Sequence, residues 1–391
     1  RQSKLCHRQL LVLTGQEQWT INTADTLLGD HDFQNTLWVG DTQSEYQNIN
    51  IKNYRSKLGH EYDFVVLNCF SGFRANAAMA LSGTIKAKGL MILLCPDIDL
   101  WPTYDDPEKI NRISFGYNQQ KINSQFFRYL SSAFTEDHFV AVCTKDQFSG
   151  SVAIAEKMSV THNFDQQNQA VEGIIRVALG HRNRPLVLTA DRGRGKSSAL
   201  GIAAAELMKQ YSKTIWVTAL HLDNTEQIFG HALRMLPMAS ATKSNITFQG
   251  SSLNFKPIDQ LLNSKESTNL LLVDEASSLP IHILIKLANK YPRIVFSSTI
   301  HGYEGSGRGF EMRFIKQLSQ LRPDFKRMQM AQPIRWYQHD TLEQFWFKTM
   351  FQNVQQDSKN IDSDSQPISY RHISKTQLFN NKKLLADVFR L

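Results

Sequence analysis

One run of sequence constrains this chain more than any other: Leu186-Val187-Leu188-Thr189-Ala190-Asp191-Arg192-Gly193-Arg194-Gly195-Lys196-Ser197-Ser198-Ala199-Leu200. An apolar strand enters a glycine-rich turn, passes Gly-Lys-Ser and continues as an alanine-rich helix, the setting that a phosphate-binding loop requires. Glycine lets backbone N–H groups approach phosphate oxygens closely, and the helix dipole favours negative charge at its N-terminus. Lys196 is then placed to reach the β- and γ-phosphates of a nucleoside triphosphate, and the Ser197 hydroxyl to ligate Mg²⁺. The pattern departs from G-x-x-x-x-G-K-[ST] once. Ala190 stands at the first glycine position, where it disfavours a positive φ, so Gly193 is left to supply the turn. The bland alternative is a glycine-rich turn that binds nothing.

A nucleoside triphosphatase also needs an acid for the metal and a residue that orients water, at the end of a neighbouring buried strand. Leu270-Leu271-Leu272-Val273-Asp274-Glu275 has that form. Asp274 would support the metal through water, and Glu275 would position or deprotonate the attacking water. Strand ends are often polar, so the acidic pair gains its meaning from the phosphate loop before it. The next strand, Arg293 to Ser298, ends in hydroxyls at Ser297, Ser298 and Thr299. They would emerge beside the γ-phosphate if that strand lies next to Asp274's, and are ordinary strand caps if it does not. A glycine-dense loop, His301 to Phe310, follows and reads as mobile or as lying against a ligand. Gln167 precedes the helix leading to the phosphate loop, where an amide could pair with an adenine edge. It also sits in a polar patch with Gln166 and Gln169, which is the plainer reading. Arg335, in Gln332-Pro333-Ile334-Arg335-Trp336, lies between a proline and an aromatic residue, well held to act on a γ-phosphate. These residues leave ATP and GTP both open.

At 391 residues the chain exceeds what one hydrophobic core serves. We expect an N-terminal open α/β domain over 1–155, a P-loop domain with a parallel sheet over 156–350, and a polar linker with the start of a truncated further domain over 351–391. In the first domain Leu10 to Leu13, Leu37 to Val39, Phe64 to Leu67, Leu90 to Leu94 and Phe139 to Val142 read as strands. Fully apolar runs of that length suit parallel strands buried on both faces. Asn76 to Leu81 reads as a crossover helix, and no phosphate-binding glycine pattern occurs there. In the second domain the expected strands are Leu186 to Thr189, Thr214 to Thr218, Leu270 to Val273 and Arg293 to Ser298. Leu378, Phe379, Leu384, Leu385, Val388 and Phe389 form a helical apolar stripe with nothing in view to bury it.

The net charge of +8 favours polyanionic partners. Cys6, Cys69, Cys95 and Cys143 are scattered without metal-ligand spacing; the last three lie in or beside apolar runs and read as small buried hydrophobes, which suits a reducing compartment. No apolar run approaches the ~20 residues that span a bilayer, and Arg1 to Arg8 lack an apolar targeting stretch. The expectation is a cytoplasmic chain with no membrane partner. Its start at Arg1 suggests a trimmed or incompletely recorded N-terminus.

Taken in order, Thr189 to Ser197, Val273-Asp274-Glu275-Ala276, Gly302 to Phe310 and Gln332-Pro333-Ile334-Arg335-Trp336 resemble the bacterial tRNA(Met) cytidine acetyltransferases. The resemblance covers essentially the whole chain and implies an N-terminal α/β domain followed by a RecA- or helicase-like ATPase module. It implies ATP and Mg²⁺ as ligands, acetyl-CoA as acetyl donor, elongator tRNA(Met) as partner, and N4-acetylcytidine at the wobble position as product. It further implies nucleotide contacts from Gln167, from Gly193, Arg194, Gly195, Lys196, Ser197, Ser198, Ala199, Leu200, Gly201 and Ile202, and from Arg335. It also implies that alanine is tolerated at 190.

In that family the acetyltransferase domain follows the ATPase module, and this chain ends at about that border without an acetyl-CoA pyrophosphate loop. Acetyl-CoA is therefore expected only in a domain missing from this chain; if the sequence is complete it cannot acetylate, and if it is a fragment the parent protein does. Arg192, Arg194 and Arg308 are candidate phosphate contacts to tRNA, the first two alternatively to nucleotide. No stable protein partner is predicted. A strand-separating helicase is disfavoured, because the first domain lacks matching motor motifs. A nucleotide-gated scaffold is disfavoured by Glu275 and Arg335.

Overall fold

The computed structural model describes residues 7–29, 35–41, 46–58, 60–112, 124–150, 164–299, 310–352 and 370–390. They fall into two compact units, one containing the residues up to 158 and those from His339 onward, the other spanning 159–338.

The first unit is built on a seven-stranded sheet of β1 (Gln9–Thr14), β2 (Thr36–Val39), β3 (Gln47–Ile49), β4 (Tyr62–Asn68), β5 (Ile85–Cys95), β6 (Val140–Cys143) and β7 (Phe148–Ser149), in the order β3-β2-β4-β5-β1-β6-β7. Only the β6–β7 pair is antiparallel. β1 and β2 are buried along their whole length, and β4 from Phe64 and β5 from Gly89 to their ends likewise, which explains their unbroken apolar runs. Helices α1 (Glu17–Gly29), α2 (Ala75–Ser82) and α3 (Gln125–Glu136) connect them. The five expected strands and the crossover helix are present; the short edge strands β3 and β7 are additional. Cys69 and Cys95 are buried and Cys143 partly so.

By contact, the helix Thr341–Thr349 groups with this first unit. A buried ion pair, Arg8 to Asp340, joins the start of β1 to the start of that helix. The apolar stripe at the end of the chain forms the helices Lys375–Asn380 and Lys382–Arg390. It is not left without a partner: the Phe389 ring stacks on Phe351 with centroids 5.0 Å apart, and Phe351 stacks in turn on Tyr129 of α3.

The second unit holds eight strands, β8 (Leu186–Ala190), β9 (Thr214–Thr218), β10 (Ser240–Thr242), β11 (Asn245–Phe248), β12 (Ser251–Phe255), β13 (Leu270–Val273), β14 (Ile294–Thr299) and β15 (Lys326–Met330). Their order is β10-β11-β12-β9-β13-β14-β8-β15, with antiparallel hairpins at one edge and parallel pairing from β12 to β15. Alternate residues serve two cores. Leu186, Leu188, Leu270 and Leu272 meet α4 (Asp165–Leu179), α5 (Lys196–Tyr211) and α6 (Glu226–Met235) on one face. Val187, Leu271 and Val273 meet α7 (Ile258–Asn263), α8 (Ile281–Lys290) and the helix Ile315–Leu321 on the other. This doubly covered parallel sheet is the expected α/β class. Strand β14 lies between β8 and β13, with Thr299 opposite Ala190 and Phe296 opposite Val273. The carboxyl ends of those three strands therefore open side by side, where ligands of such sheets bind. Among the described residues no helix is long and apolar enough to cross a membrane.

Candidate functional site

The turn between β8 and α5 takes its shape from two glycines. Gly193 and Gly195 both have φ of +77°, in the left-handed region, whereas Ala190 is the last residue of β8 and is not among the positive-φ residues. Alanine at 190 therefore carries no conformational cost, and the turn falls to Gly193 as its spacing suggested. Space demands the same residues. A Cβ on Gly193 would lie 2.3 Å from Cη2 of the buried Trp336, and one on Gly195 would lie 2.4 Å from both Gln167 Nε2 and Ile334 Cδ1. We expect Gly193→Ala to destabilise the second unit by about 2 kcal/mol in urea unfolding, from left-handed strain and displacement of the indole; a change below about 0.5 kcal/mol would contradict the packing.

Lys196 opens α5 and reaches across to the end of β13. Its Nζ donates to Asp274 Oδ1 at 2.8 Å and to Glu275 Oε1 at 3.2 Å, and the Ser197 hydroxyl donates to Asp274 Oδ2 at 2.9 Å. From β14, Ser297 Oγ donates to Asp274 Oδ1 at 3.0 Å and Thr299 Oγ1 to Glu275 Oε2 at 3.1 Å. The strand ending in hydroxyls thus does stand beside Asp274's. Glu275 has φ of +46°, a strained setting for a non-glycine residue, and its own N–H donates to Asp274 Oδ1. Burial by itself would lower the Lys196 pKa, but Asp274 and Glu275 together hold it above the ordinary lysine value. Burial would likewise raise the Glu275 carboxyl, but Lys196 and Arg192 keep it below its ordinary value. Lysine and glutamate are both charged at neutral pH, in a pocket where Asp274 is fully buried.

A third element closes around the loop. Gln167, buried at the start of α4, donates from Nε2 to the Gly195 carbonyl at 3.2 Å. Its neighbour Gln166 accepts at Oε1 from the N–H groups of Ala331 and Gln332 at 2.8 and 2.9 Å. Ile334 N donates to the Gly193 carbonyl at 3.0 Å. Arg194 is buried, with Nε on the Ala331 carbonyl, Nη1 on the Arg192 carbonyl and its guanidinium 5.8 Å from the Trp336 ring centre. It is a strut beneath the loop rather than an exposed cation. Arg335, partly buried, sits between Ile334 and Trp336 and so next to the loop.

Of the remaining helix residues, the Ala199 N–H is taken by the Gly195 carbonyl, and Ala199, Leu200 and Gly201 are buried. Ile202 is partly buried against the same core. Ser198 Oγ meets His231 Nε2 of α6 at 2.7 Å. Residues 301–309, with Arg308, lie outside the described residues. Sequence reasoning missed Gln166, Trp336 and His231. Trp336 alone had a local signal, as the aromatic residue that follows Arg335.

The donor set suits Mg²⁺: a serine hydroxyl and a carboxylate converge, and that ion usually keeps waters and takes one or two carboxylates plus phosphate oxygens. Among the described residues no group of three or more His, Cys, Asp or Glu side chains could hold a metal ion without such help.

Two family models match the sequence. One describes the N-terminal region of tRNA(Met) cytidine acetyltransferase TmcA and matches residues 1–145; the other describes the helicase domain of RNA cytidine acetyltransferase NAT10/TcmA and matches 187–353. The chain is similar to the tRNA(Met) cytidine acetyltransferase TmcA of Nitrosococcus halophilus (strain Nc4), at 33% identity over 98% of this chain and 54% of that one. It is also similar to the protein of that name from Vibrio cholerae serotype O1, at 34% identity over 97% of this chain and 50% of that one. The chain spans about half the length of these curated relatives. Among solved structures, the large terminase of a thermophilic bacteriophage aligns over 50% of each chain at 11% identity with a TM-score of 0.35, too loose a likeness to bear on the site.

Proposed function

Because the chain belongs, through its N-terminal and helicase domains, to the tRNA(Met) cytidine acetyltransferase TmcA family, we propose that its second unit binds ATP with Mg²⁺ and hydrolyses it in support of cytidine acetylation on tRNA(Met). The observation that carries this reading is the meeting of Lys196 and Ser197 with Asp274 at 2.8 and 2.9 Å, across 78 and 77 residues of sequence.

The loop from Gly193 to Ser198 would cradle the phosphates with the N–H groups that the first turn of α5 leaves without helical acceptors. Lys196 would leave its carboxylates for the β- and γ-phosphates, while Ser197 and Asp274 hold Mg²⁺, which when bound neutralises charge that builds on the phosphate oxygens. Glu275 would orient the attacking water. The same carboxylate would accept the proton that the water gives up. Arg335 would stabilise the γ-phosphate as it departs, and Gln167 would meet the adenine. The elongator tRNA(Met) substrate, its wobble cytidine and the acetyl-CoA donor are part of the same proposal. We assign none of this chain's residues to acetyl-CoA.

Phosphate release measured with Mg²⁺ and ATP tests the core of it. Glu275→Gln keeps the shape but loses the carboxylate, and release should fall about 100-fold while labelled ADP binds as before. Release at the wild-type rate in this variant would remove the hydrolytic reading.

A further inference from the structure

Arg335 is carried by a segment that is tied both to the phosphate loop and, through Gln166, to α4. Strand β15 ends at Met330, and the chain leaves the sheet edge there. Gln166 Oε1 accepts the next two N–H groups, of Ala331 and Gln332, at 2.8 and 2.9 Å. Arg194 Nε holds the Ala331 carbonyl at 3.2 Å, and Ile334 N donates to the Gly193 carbonyl at 3.0 Å. Trp336 is buried with its ring against Gly193. Arg335 is thus the one residue between two anchors, and the direction in which the segment enters them is set at 331 and 332.

We propose that Gln166 is a positioning residue for Arg335: its single carbonyl oxygen, by receiving two consecutive backbone N–H groups, fixes the approach of the segment that brings the guanidinium to the γ-phosphate. The inference rests on the reading of Arg335 given above. Gln166 is only partly buried, and Pro333 contributes no N–H of its own to the segment, so the two bonds at 331 and 332 are the backbone donors that precede Ile334. The neighbouring Gln167 differs in kind, since it holds the loop itself, through Gly195.

The full chain carries the test. Gln166→Ala should lower kcat for ATP hydrolysis about tenfold, as expected when a tie worth one hydrogen-bonded pair is lost from the transition state alone. The KM for ATP, the affinity for a fluorescent methylanthraniloyl-ADP and the thermal midpoint should stay near wild type. Gln166→Glu should restore most of the rate, because a carboxylate oxygen accepts the same two N–H groups and suits the N-terminal turn of α4. In an Arg335→Ala background, Gln166→Ala should slow hydrolysis no further, because the residue it positions is gone. A wild-type kcat in Gln166→Ala, a loss confined to KM, failure of Gln166→Glu to recover, or effects that multiply with Arg335→Ala would each overturn the assignment. If Lys196→Ala also hydrolyses ATP normally, the site reading itself fails; if Lys196→Ala is inactive and Gln166→Ala is not slow, only the positioning role fails.

Discussion

The Lys196→Ala chain should release phosphate from ATP about 1000-fold more slowly and also melt earlier than wild type in the absence of nucleotide. The first effect follows from losing the charge that would face the β- and γ-phosphates. The second follows from what Lys196 does when no nucleotide is present. Its ammonium lies between Asp274, with a side chain 1% exposed, and Glu275, 31% exposed, and is itself 7% exposed. Without it, the Asp274 carboxylate keeps only the Ser197 and Ser297 hydroxyls and the Glu275 N–H. Removing one member of a buried pair costs about 3–5 kcal/mol, because a charge is left uncompensated in the interior. For a unit of this size that corresponds to a fall of roughly 10 °C in the transition of the second unit. The pH dependence has a definite sign. The Lys196 contribution is present below the ordinary lysine value of about 10.4 and is lost only as pH rises through its higher folded value. The Glu275 contribution is present above the ordinary glutamate value of about 4.3 and is lost as pH falls through its lower folded value. Calorimetric scans should show the wild-type advantage flat from about pH 5 to pH 10 and narrowing in stronger acid. Equal midpoints for the two chains at pH 7 would sink this account of the pocket.

Asp340→Ala should lower the stability of the first unit by a similar amount, about 3–5 kcal/mol. Asp340 is fully buried and takes three bonds from Arg8, at 2.7 Å from its backbone N–H, 3.1 Å from Nε and 2.8 Å from Nη2. The same carboxylate caps the helix Thr341–Thr349 by accepting from Glu343 N at 2.9 Å. Arg8 spends Nη1 on the Ser82 carbonyl at 2.5 Å, and its own carbonyl receives the Thr341 hydroxyl at 2.7 Å. Alanine at 340 therefore strands a buried guanidinium and uncaps a helix together. Asp340→Asn keeps one oxygen for the cap and should cost less than alanine, although its NH2 group replaces the oxygen that accepts from the Arg8 backbone N–H. Urea unfolding followed by circular dichroism should resolve the shift, with labelled ADP binding unchanged as the control for the second unit. A loss under 1 kcal/mol in Asp340→Ala would mean that Arg8 finds another partner.

Local pattern carried much of the fold. Leu186 to Leu188, Leu270 to Val273 and Ile294 to Phe296 are apolar at every position because both faces of a parallel strand are covered. The antiparallel edge left no such mark. Ser240-Ala241-Thr242 in β10 is exposed throughout, and the β11–β12 turn uses Gln249 and Gly250 at φ of +47° and +80°, a polar–glycine pair that reads equally well as a loop. Strand β15 escaped for the same reason: Lys326-Arg327-Met328-Gln329-Met330 is an edge strand with only Met330 buried.

What the sequence determined by itself was the inventory of the site: a strand, a glycine turn with Lys196 and Ser197, an acidic pair after another strand, and hydroxyls after a third. Each is a matter of neighbours along the chain, where propensity and backbone freedom act. Only the tertiary structure decided that β14 falls between β8 and β13, that Lys196 rests on two carboxylates, and that Gln166 bonds the backbone at 331 and 332 while its neighbour Gln167 bonds the Gly195 carbonyl. Those bonds join residues from 24 to 166 positions apart. They depend on strand order and on how the cores on the two faces of the sheet close, and no short stretch of sequence contains that information.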